Sequence, residues 1–123
     1  EEDLYKRTIV HATDINHEVL KRAKDGIYEL SNMQNFNKNY VMAGGVKSPS
    51  EYYTAEYGLA RFDPGLLENV VFSEHNLVTD AGFLEAHLIL CRNVLIYFNR
   101  SLQERAVRLF TESLAYKGFL GIG

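Results

Sequence analysis

The sequence feature that most constrains the fold is a short, almost entirely apolar segment at residues 86–91, Ala-His-Leu-Ile-Leu-Cys. A strand of this composition has no polar face to turn toward water, and parallel sheets use such strands because helices cover both of their faces. Residues 8–15 are rich in the β-branched residues that favour strands, and residues 70–77, Val-Val-Phe-Ser-Glu-His-Asn-Leu, are predicted as a further strand. The sequence therefore predicts a mainly parallel sheet whose strands are buried on both faces.

Helical patterns follow two of these strands, residues 8–15 and residues 86–91, which are the first and the third along the chain. After the first, Asn16 is a good N-cap and Gly26 a good C-cap for a helix with apolar residues at helical spacing. After the third, Ser101 and Glu104 predict a capping box, and Gly118 is expected to end the helix before a fourth strand. Strands that alternate with helices predict an α/β protein with a doubly wound sheet.

Residues 28–69 have a different character, because they contain many Asn, Tyr and Gly residues and both prolines of the chain. The pattern predicts a short helix near residues 31–39, followed by irregular chain with one small hairpin. A long segment with so little regular pattern inside a compact domain is often functional.

Composition and charge exclude several classes of protein. The chain has 123 residues, 46% of them hydrophobic and 24% charged, as is usual for one globular domain. A formal net charge of -3 argues against nucleic-acid binding. No apolar segment is long enough to cross a bilayer and the four histidines lack the spacing of metal ligands, so we expect neither membrane embedding nor a metal site. The single cysteine, Cys91, fits a cytoplasmic protein.

Polar side chains follow each predicted strand, at the edge where parallel α/β sheets bind ligands. Asp14 ends the first strand, Asn76 lies near the end of the second, and Arg92 and Asn93 follow the third. Asp14 suits the two hydroxyls of a ribose better than the role of helix cap, because Asn16 already fills that role. Asn76 fits an adenine edge and a turn residue about equally well.

Three further residues near these strand ends have more than one interpretation. Arg92 suits either the binding of a carboxylate or the bracing of a loop. Tyr97 lies in the segment Val-Leu-Ile-Tyr-Phe at residues 94–98, where an aromatic residue usually has a packing role. Cys91 is interpreted as a buried structural thiol rather than a nucleophile, because it ends an apolar strand.

Several short motifs resemble, in the same order, those of the chemotaxis-receptor (CheR-type) methyltransferases. They are residues 12–15 (Ala-Thr-Asp-Ile), 76–77 (Asn-Leu), 91–98 (Cys-Arg-Asn-Val-Leu-Ile-Tyr-Phe) and 118–120 (Gly-Phe-Leu), of which the third is the most specific. The resemblance implies a Rossmann-like class I methyltransferase fold that uses S-adenosylmethionine. It also implies a cytoplasmic protein-glutamate O-methyltransferase, which modifies the cytoplasmic region of chemotaxis receptors during sensory adaptation.

The resemblance assigns roles to individual residues. The cofactor-binding residues would be Asp14, Asn76, Leu77, Arg92 and Asn93. Within this set, Asp14 would bind the ribose and adenine side of the cofactor, Asn76 and Leu77 would flank the adenine, and the other two would line the pocket. Tyr97 would lie near the transferred methyl group, and we expect Tyr97 and Arg92 to be the catalytic residues.

By the same resemblance, the chain corresponds to one part of the catalytic domain. It begins just before the second strand of the family's sheet, so residues 1–7 would end the preceding helix. The family's first strand, its glycine-containing cofactor loop, its later strands and its N-terminal helical domain would lie outside this segment, which we therefore expect to be inactive alone. Residues 28–69 would correspond to the small β-subdomain that binds receptor tails.

Two other functions fit the same sequence less well. A methyltransferase for another substrate, such as nucleic acid, usually carries an Asn/Asp-Pro-Pro-aromatic motif where this chain has Arg-Asn-Val-Leu at residues 92–95. A non-catalytic receptor-docking module with the methyltransferase fold would use residues 41–61, in which the candidates for contact are Tyr52, Tyr53 and Tyr57.

Overall fold

The computed structural model describes residues 2–82 and 84–123, which form two compact units with their boundary between Glu74 and His75. The elements of the first unit are α1 (Glu2–Lys6), β1 (Val10–Asp14), α2 (His17–Asp25), β2 (Ile27–Glu29), α3 (Met33–Met42), β3 (Tyr53–Glu56), β4 (Leu59–Phe62) and β5 (Val70–Glu74). Those of the second unit are β6 (Ala86–Cys91), α4 (Arg100–Ser113) and β7 (Leu114–Ile122). Short 3-10 turns occupy Leu30–Asn32, Pro49–Glu51, Pro64–Leu67 and Leu95–Tyr97.

The first unit contains a parallel strand pair and a helix, as the sequence predicts. β1 pairs in parallel with β5 along its whole length. The side-chain oxygen of Asn16 accepts hydrogen bonds from the first N–H groups of α2, and Gly26 ends the helix at φ 64°, in the left-handed region that favours glycine. Both predicted caps are confirmed, and so is the helix expected before the first strand, which is α1.

Residues 28–69, expected to be mostly irregular, contain most of a three-stranded antiparallel sheet with the order β2-β4-β3. The predicted helix and hairpin are both present, as α3 and the β3–β4 pair. The third strand, β2, begins directly after the C-cap of α2 and pairs with β4 far along the chain, so local patterns give little sign of it. The expectation of irregular chain is therefore wrong.

The β3–β4 hairpin turns through two residues, Tyr57 and Gly58, whose φ angles are 50° and 76°. Positive φ at both positions is typical of a type I′ turn, whose twist matches that of the flanking strands. Asparagine and glycine favour this conformation, whereas tyrosine is strained in it. Because Tyr57 is 99% exposed, its side chain gains no burial that would offset the strain.

An aromatic cluster covers one face of this sheet with α3. Phe62 of β4 packs edge-to-face on Phe36 of α3 at a centroid distance of 5.2 Å, and Tyr53 of β3 contacts both rings. Tyr40 of α3 packs on the ring of Tyr52, and the two hydroxyl oxygens lie 3.1 Å apart. These contacts close a small core within one contiguous segment of the chain.

The second unit is built on the parallel pair β6 and β7, which confirms the predicted third and fourth strands. β6 has the bounds that the sequence predicts. The fourth strand, however, begins much earlier than expected, because α4 ends at Ser113 and β7 starts at the next residue.

Gly118 lies inside β7 rather than at the end of the helix, so its predicted role as a helix stop is wrong. The pairing register is irregular here, since Ala86 is opposite Leu114 but Leu88 is opposite Phe119. The extra residues of β7 bring the backbone close to itself, and a Cβ at Gly118 would lie 2.9 Å from a neighbouring carbonyl oxygen. Glycine is therefore needed at this position by close approach.

α4 starts earlier than the predicted capping box implies. Its N-cap is Asn99, in an extended conformation, whose side-chain oxygen accepts a hydrogen bond from the N–H of Leu102 at 3.0 Å. Ser101 donates its hydroxyl to the same oxygen at 2.9 Å, and Glu104 pairs with Arg100 at 3.1 Å on the exposed helix surface. The predicted box is wrong because a better cap precedes it.

The two faces of the β6–β7 pair differ in burial. One face packs on α4 through a cluster of Cys91, Ala106 and Phe110, with Leu77, Ile89, Leu95, Phe98 and Leu120 against it. The opposite face carries three exposed apolar side chains, Leu88, Leu90 and Phe119. The prediction that these strands are buried on both faces is wrong for the described chain, because α4 covers only one of them.

Parallel strand pairs and helices agree with the predicted α/β class. Among the described strands, β1 pairs only with β5, and β6 only with β7. None of the helices within residues 2–82 and 84–123 is both long and apolar enough to span a bilayer.

Candidate functional site

Asp14 is the last residue of β1 and remains partly exposed. Its Oδ1 accepts a hydrogen bond from the backbone N–H of Asn16 at 2.8 Å. Asn16 in turn caps α2, with its Oδ1 accepting from Glu18 at 2.9 Å. The prediction that Asn16 and not Asp14 caps α2 is therefore confirmed. The Oδ2 of Asp14 accepts no hydrogen bond from the residues that the structure describes.

Asn76 lies two residues beyond the end of β5, in a tight turn. Its Oδ1 accepts from the N–H of Val78 at 2.9 Å, and its own N–H donates to the Asp80 carboxylate at 2.8 Å. That bond, together with the Thr79 hydroxyl, holds the pKa of Asp80 below its usual value. Asn76 therefore lies in a turn, and its side-chain NH₂ donates no hydrogen bond within the described residues; contact with an adenine edge stays a prediction.

Leu77 is half-buried, and its side chain packs against the cluster of Cys91, Ala106 and Phe110. The turn that holds Asn76 is thereby fixed to the end of β6. Contact between the Leu77 side chain and an adenine ring stays a prediction.

Arg92 and Asn93 leave the end of β6 with exposed side chains. The N–H of Asn93 donates to the carbonyl oxygen of Gly123 at 2.8 Å, which extends the β6–β7 pairing by one step. Asn93 has φ 57°, a left-handed conformation that asparagine tolerates better than most residues. The chain therefore turns sharply where the predicted pocket residues lie.

Tyr97 is presented to solvent by the 3-10 turn Leu95–Tyr97 and is 81% exposed. The packing role considered for it is therefore wrong within the described chain. Leu95 and Phe98 serve that role instead, because both pack against the α4 cluster.

Gln103 lies near Tyr97 and was not among the site residues predicted from the sequence. Its amide nitrogen donates to the carbonyl oxygens of Leu95 and Phe98, at either end of the turn. The only sequence signal is a long amide side chain near the start of a helix, which is too common to indicate such a contact.

Cys91 is confirmed as a buried residue. Burial raises the pKa of its thiol, so that the unreactive protonated form is favoured. This environment is typical of a structural cysteine and not of a nucleophile.

The tyrosines considered for receptor docking have two different environments. Tyr52 and Tyr53 are half-buried and belong to the aromatic cluster on α3. Tyr57 projects from the hairpin tip into solvent. Only Tyr57 among these three is available as an exposed ring.

The predicted site residues thus divide between the two units. Asp14 belongs to the first, whereas Asn76, Leu77, Arg92, Asn93 and Tyr97 belong to the second. The part of the chain that the structure describes holds no cluster of side chains suited to a metal ion.

The chain matches, over residues 2–123, the family model described as CheR methyltransferase, SAM binding domain. It therefore belongs to this family, and the resemblance seen in the motifs is confirmed. The fold is that of the class I methyltransferases, and the cofactor is S-adenosylmethionine.

Individual relatives agree with this assignment. The chain is 54% identical over 123 residues to a Pseudomonas putida protein named putative methyltransferase Cher3, covering all of the chain and 45% of that protein. It is 37% identical to a chemotaxis protein methyltransferase of Salmonella typhimurium, over 93% of the chain and 39% of the relative. The Escherichia coli protein of the same name is 35% identical over the same shares. The chain thus spans less than half the length of these relatives.

Proposed function

We propose that the protein containing this chain transfers the methyl group of S-adenosylmethionine to glutamate side chains of chemotaxis receptors in the cytoplasm. The observation that carries the proposal is the family match along residues 2–123, with relatives named chemotaxis protein methyltransferase. The geometry supports it, since polar residues follow the parallel strands where α/β sheets bind ligands.

The residues present fit the cofactor by their chemistry. Asp14 has one carboxylate oxygen, Oδ2, that accepts no hydrogen bond in the described chain and suits ribose hydroxyls. The side-chain NH₂ of Asn76 suits an acceptor on adenine, and the exposed Arg92 and Asn93 suit the polar tail of the cofactor. We assign Leu77 to the adenine only through its place beside Asn76.

The reaction needs alignment more than acid–base chemistry. When bound, the cofactor supplies an electrophilic methyl group on a sulfonium. A glutamate carboxylate is already ionised near neutral pH, so no residue has to remove a proton from it. Arg92 would attract this carboxylate and Tyr97 would donate a hydrogen bond to orient it, and proximity of this kind contributes several kcal/mol, roughly 7–11 at most.

Receptor docking is assigned to residues 28–69. Two features support this assignment. The segment forms a sheet with its own aromatic core, and the tip of its hairpin presents an exposed tyrosine, Tyr57. We further propose a doubly wound sheet in the whole protein, with β1 and β6 paired to strands beyond their present partners. The 123-residue chain alone would then bind cofactor weakly and be inactive.

The test uses the full-length protein, a labelled cofactor and a receptor cytoplasmic fragment. Label that enters the receptor and is released by base as methanol indicates a glutamate methyl ester. Label in nucleic acid, or none in the receptor, would contradict the proposal.

Two substitutions in the full-length protein test the site. Asp14→Ala should weaken cofactor binding by about 1.5–3 kcal/mol, or roughly 10- to 150-fold, in calorimetry. Tyr97→Phe should lower kcat and leave affinity unchanged. Asp25→Ala and Tyr116→Phe are matched controls, because both wild-type side chains are exposed and lie away from the strand ends concerned. Unchanged affinity in Asp14→Ala would remove Asp14 from the site.

A further inference from the structure

The side chain of Gln103 forms hydrogen bonds between α4 and the turn that carries Tyr97. The amide nitrogen of Gln103 donates to the carbonyl oxygen of Leu95 at 3.0 Å and to that of Phe98 at 3.1 Å. Carbonyl oxygens are acceptors only, so the NH₂ end of the amide must face them. Both donors of that group are thus used on two residues that bracket Tyr97.

The turn has an inner and an outer side. Its two local hydrogen bonds, from Tyr97 to Val94 and from Phe98 to Leu95, are each 3.1 Å long. Residues three apart lie on the same side of a 3-10 helix. Leu95 and Phe98 accordingly both pack against the α4 cluster, and Tyr97 faces out.

Apolar packing alone does not fix the orientation of such a turn. Burial of Leu95 and Phe98 depends on contact area and has little directionality, so the turn can rotate slightly and keep it. Hydrogen bonds weaken steeply away from linear geometry, and two of them from one nitrogen define a direction. Gln103 therefore adds a directional constraint to the backbone of the turn that carries Tyr97.

We infer that Gln103 is a positioning residue for methyl transfer, which acts by holding the Leu95–Phe98 turn so that Tyr97 keeps its orientation toward the reacting groups. The inference rests on the proposed role of Tyr97. A residue that acts only through alignment lowers turnover more than cofactor affinity.

The first test measures the turn directly in the full-length protein, by hydrogen–deuterium exchange of the Tyr97 and Phe98 amides. Gln103→Met keeps the length of the side chain and removes both donors. We expect about tenfold faster exchange at these amides, because a free-energy loss of the size of one hydrogen bond, about 1 kcal/mol, would make opening of the turn about that much easier. Glu104→Gln is the matched control, because it changes the neighbouring exposed residue and should leave both amides unaffected.

The second test links the turn to catalysis. Gln103→Met should lower kcat roughly 10- to 100-fold, as a misplacement of about 1 Å does, with a nearly unchanged cofactor Kd. If Gln103 acts through Tyr97, the double variant with Tyr97→Phe should lose no more than the larger single loss. A general structural role would instead multiply the two losses.

A third variant keeps the test valid if Gln103→Met is too unstable. Gln103→Glu has nearly the same shape, but its carboxylate cannot donate to the two carbonyls, whereas its protonated form donates one hydrogen bond. Its kcat relative to wild type should therefore rise as the pH falls.

Unchanged exchange at Tyr97 and Phe98 in Gln103→Met would overturn the inference, and so would multiplied kinetic losses. A wild-type protein without methyl transfer would refute the proposed function and the kinetic role of Gln103 with it. The exchange measurement would still show whether Gln103 holds the turn, so the two failures are distinguishable.

Discussion

Two sheets in this chain differ in how completely they are buried. The antiparallel sheet β2-β4-β3 has its aromatic face covered by α3, which lies between two of its strands in the sequence. The parallel pair β6–β7 packs one face on α4 and leaves Leu88, Leu90 and Phe119 exposed on the other. Antiparallel strands joined by short turns can close a core locally, whereas parallel strands need covering layers from separate parts of a chain.

Residues 27–62 contain most of the side chains that close the core of the antiparallel sheet. The parallel pair β6–β7, in contrast, has one face that no described element covers. Since the relatives are more than twice as long as the part that this chain covers, we expect the open face of β6–β7 to be buried in the longer protein.

The largest expected effect is on the covered face of the parallel pair. Phe110 is 3% exposed and forms the cluster that joins α4 to β6. Phe110→Ala should destabilise the second unit by about 3–5 kcal/mol, because it removes apolar burial and leaves a cavity. Urea unfolding followed by far-UV circular dichroism measures this loss.

The matched control for Phe110→Ala is on the opposite face of the same sheet. Leu90 is 67% exposed, so Leu90→Ala should change the stability of this chain by less than about 1 kcal/mol. Equal losses for the two variants would show that both faces are covered and would remove the contrast between the two sheets.

The second prediction compares the 123-residue chain with the full-length protein. Leu90→Gln should be nearly neutral in the chain alone and should cost about 2–3 kcal/mol in the longer protein, where it would place an amide in an apolar layer. Thermal melts of the four proteins give the difference. A neutral result in both would mean that this face stays open to water.

The caps of α2 were predictable from the sequence, whereas the N-cap of α4 and the features that depend on distant pairing were not. Asn16 and Gly26 act within one or two turns of chain, and both caps are as expected. β2 was missed because its partner, β4, lies far along the chain. The start of β7 was misplaced because the register irregularity around Gly118 has no local signal other than the glycine.

The candidate site divides in the same way. The positions of Asp14, Arg92 and Asn93 at strand ends could be predicted from the strand bounds alone, whereas their part in ligand binding stays a prediction. The contact of Gln103 with two backbone carbonyls depends on how the turn folds back on α4, and no spacing in the sequence encodes it.

A smaller change in stability is expected in the antiparallel sheet, at the tip of the β3–β4 hairpin. Tyr57 holds a left-handed conformation at φ 50° that asparagine adopts more easily. Tyr57→Asn should therefore stabilise the hairpin by about 0.5–1 kcal/mol, and Tyr57→Val should destabilise it. Urea midpoints measure both, and a loss of stability in Tyr57→Asn would show that the exposed ring contributes to the fold.

The smallest expected effect uses Cys91 as a reporter of the covered face of β6–β7. Burial raises the pKa of its thiol in the folded chain above the value in the unfolded chain, which is about 8.5. Below that value both states keep the proton, so stability is independent of this group. As the pH rises through it, the unfolded chain ionises and the folded chain does not, so stability falls until the folded pKa is passed.

Tyrosines and lysines also titrate at high pH, and Cys91→Ala therefore serves as the control for the slope. Stability measured by urea unfolding between pH 7 and about pH 10 should decline more steeply in the wild type than in Cys91→Ala. Identical slopes would mean that the thiol is as accessible in the folded chain as in the unfolded one, and that α4 does not cover this face.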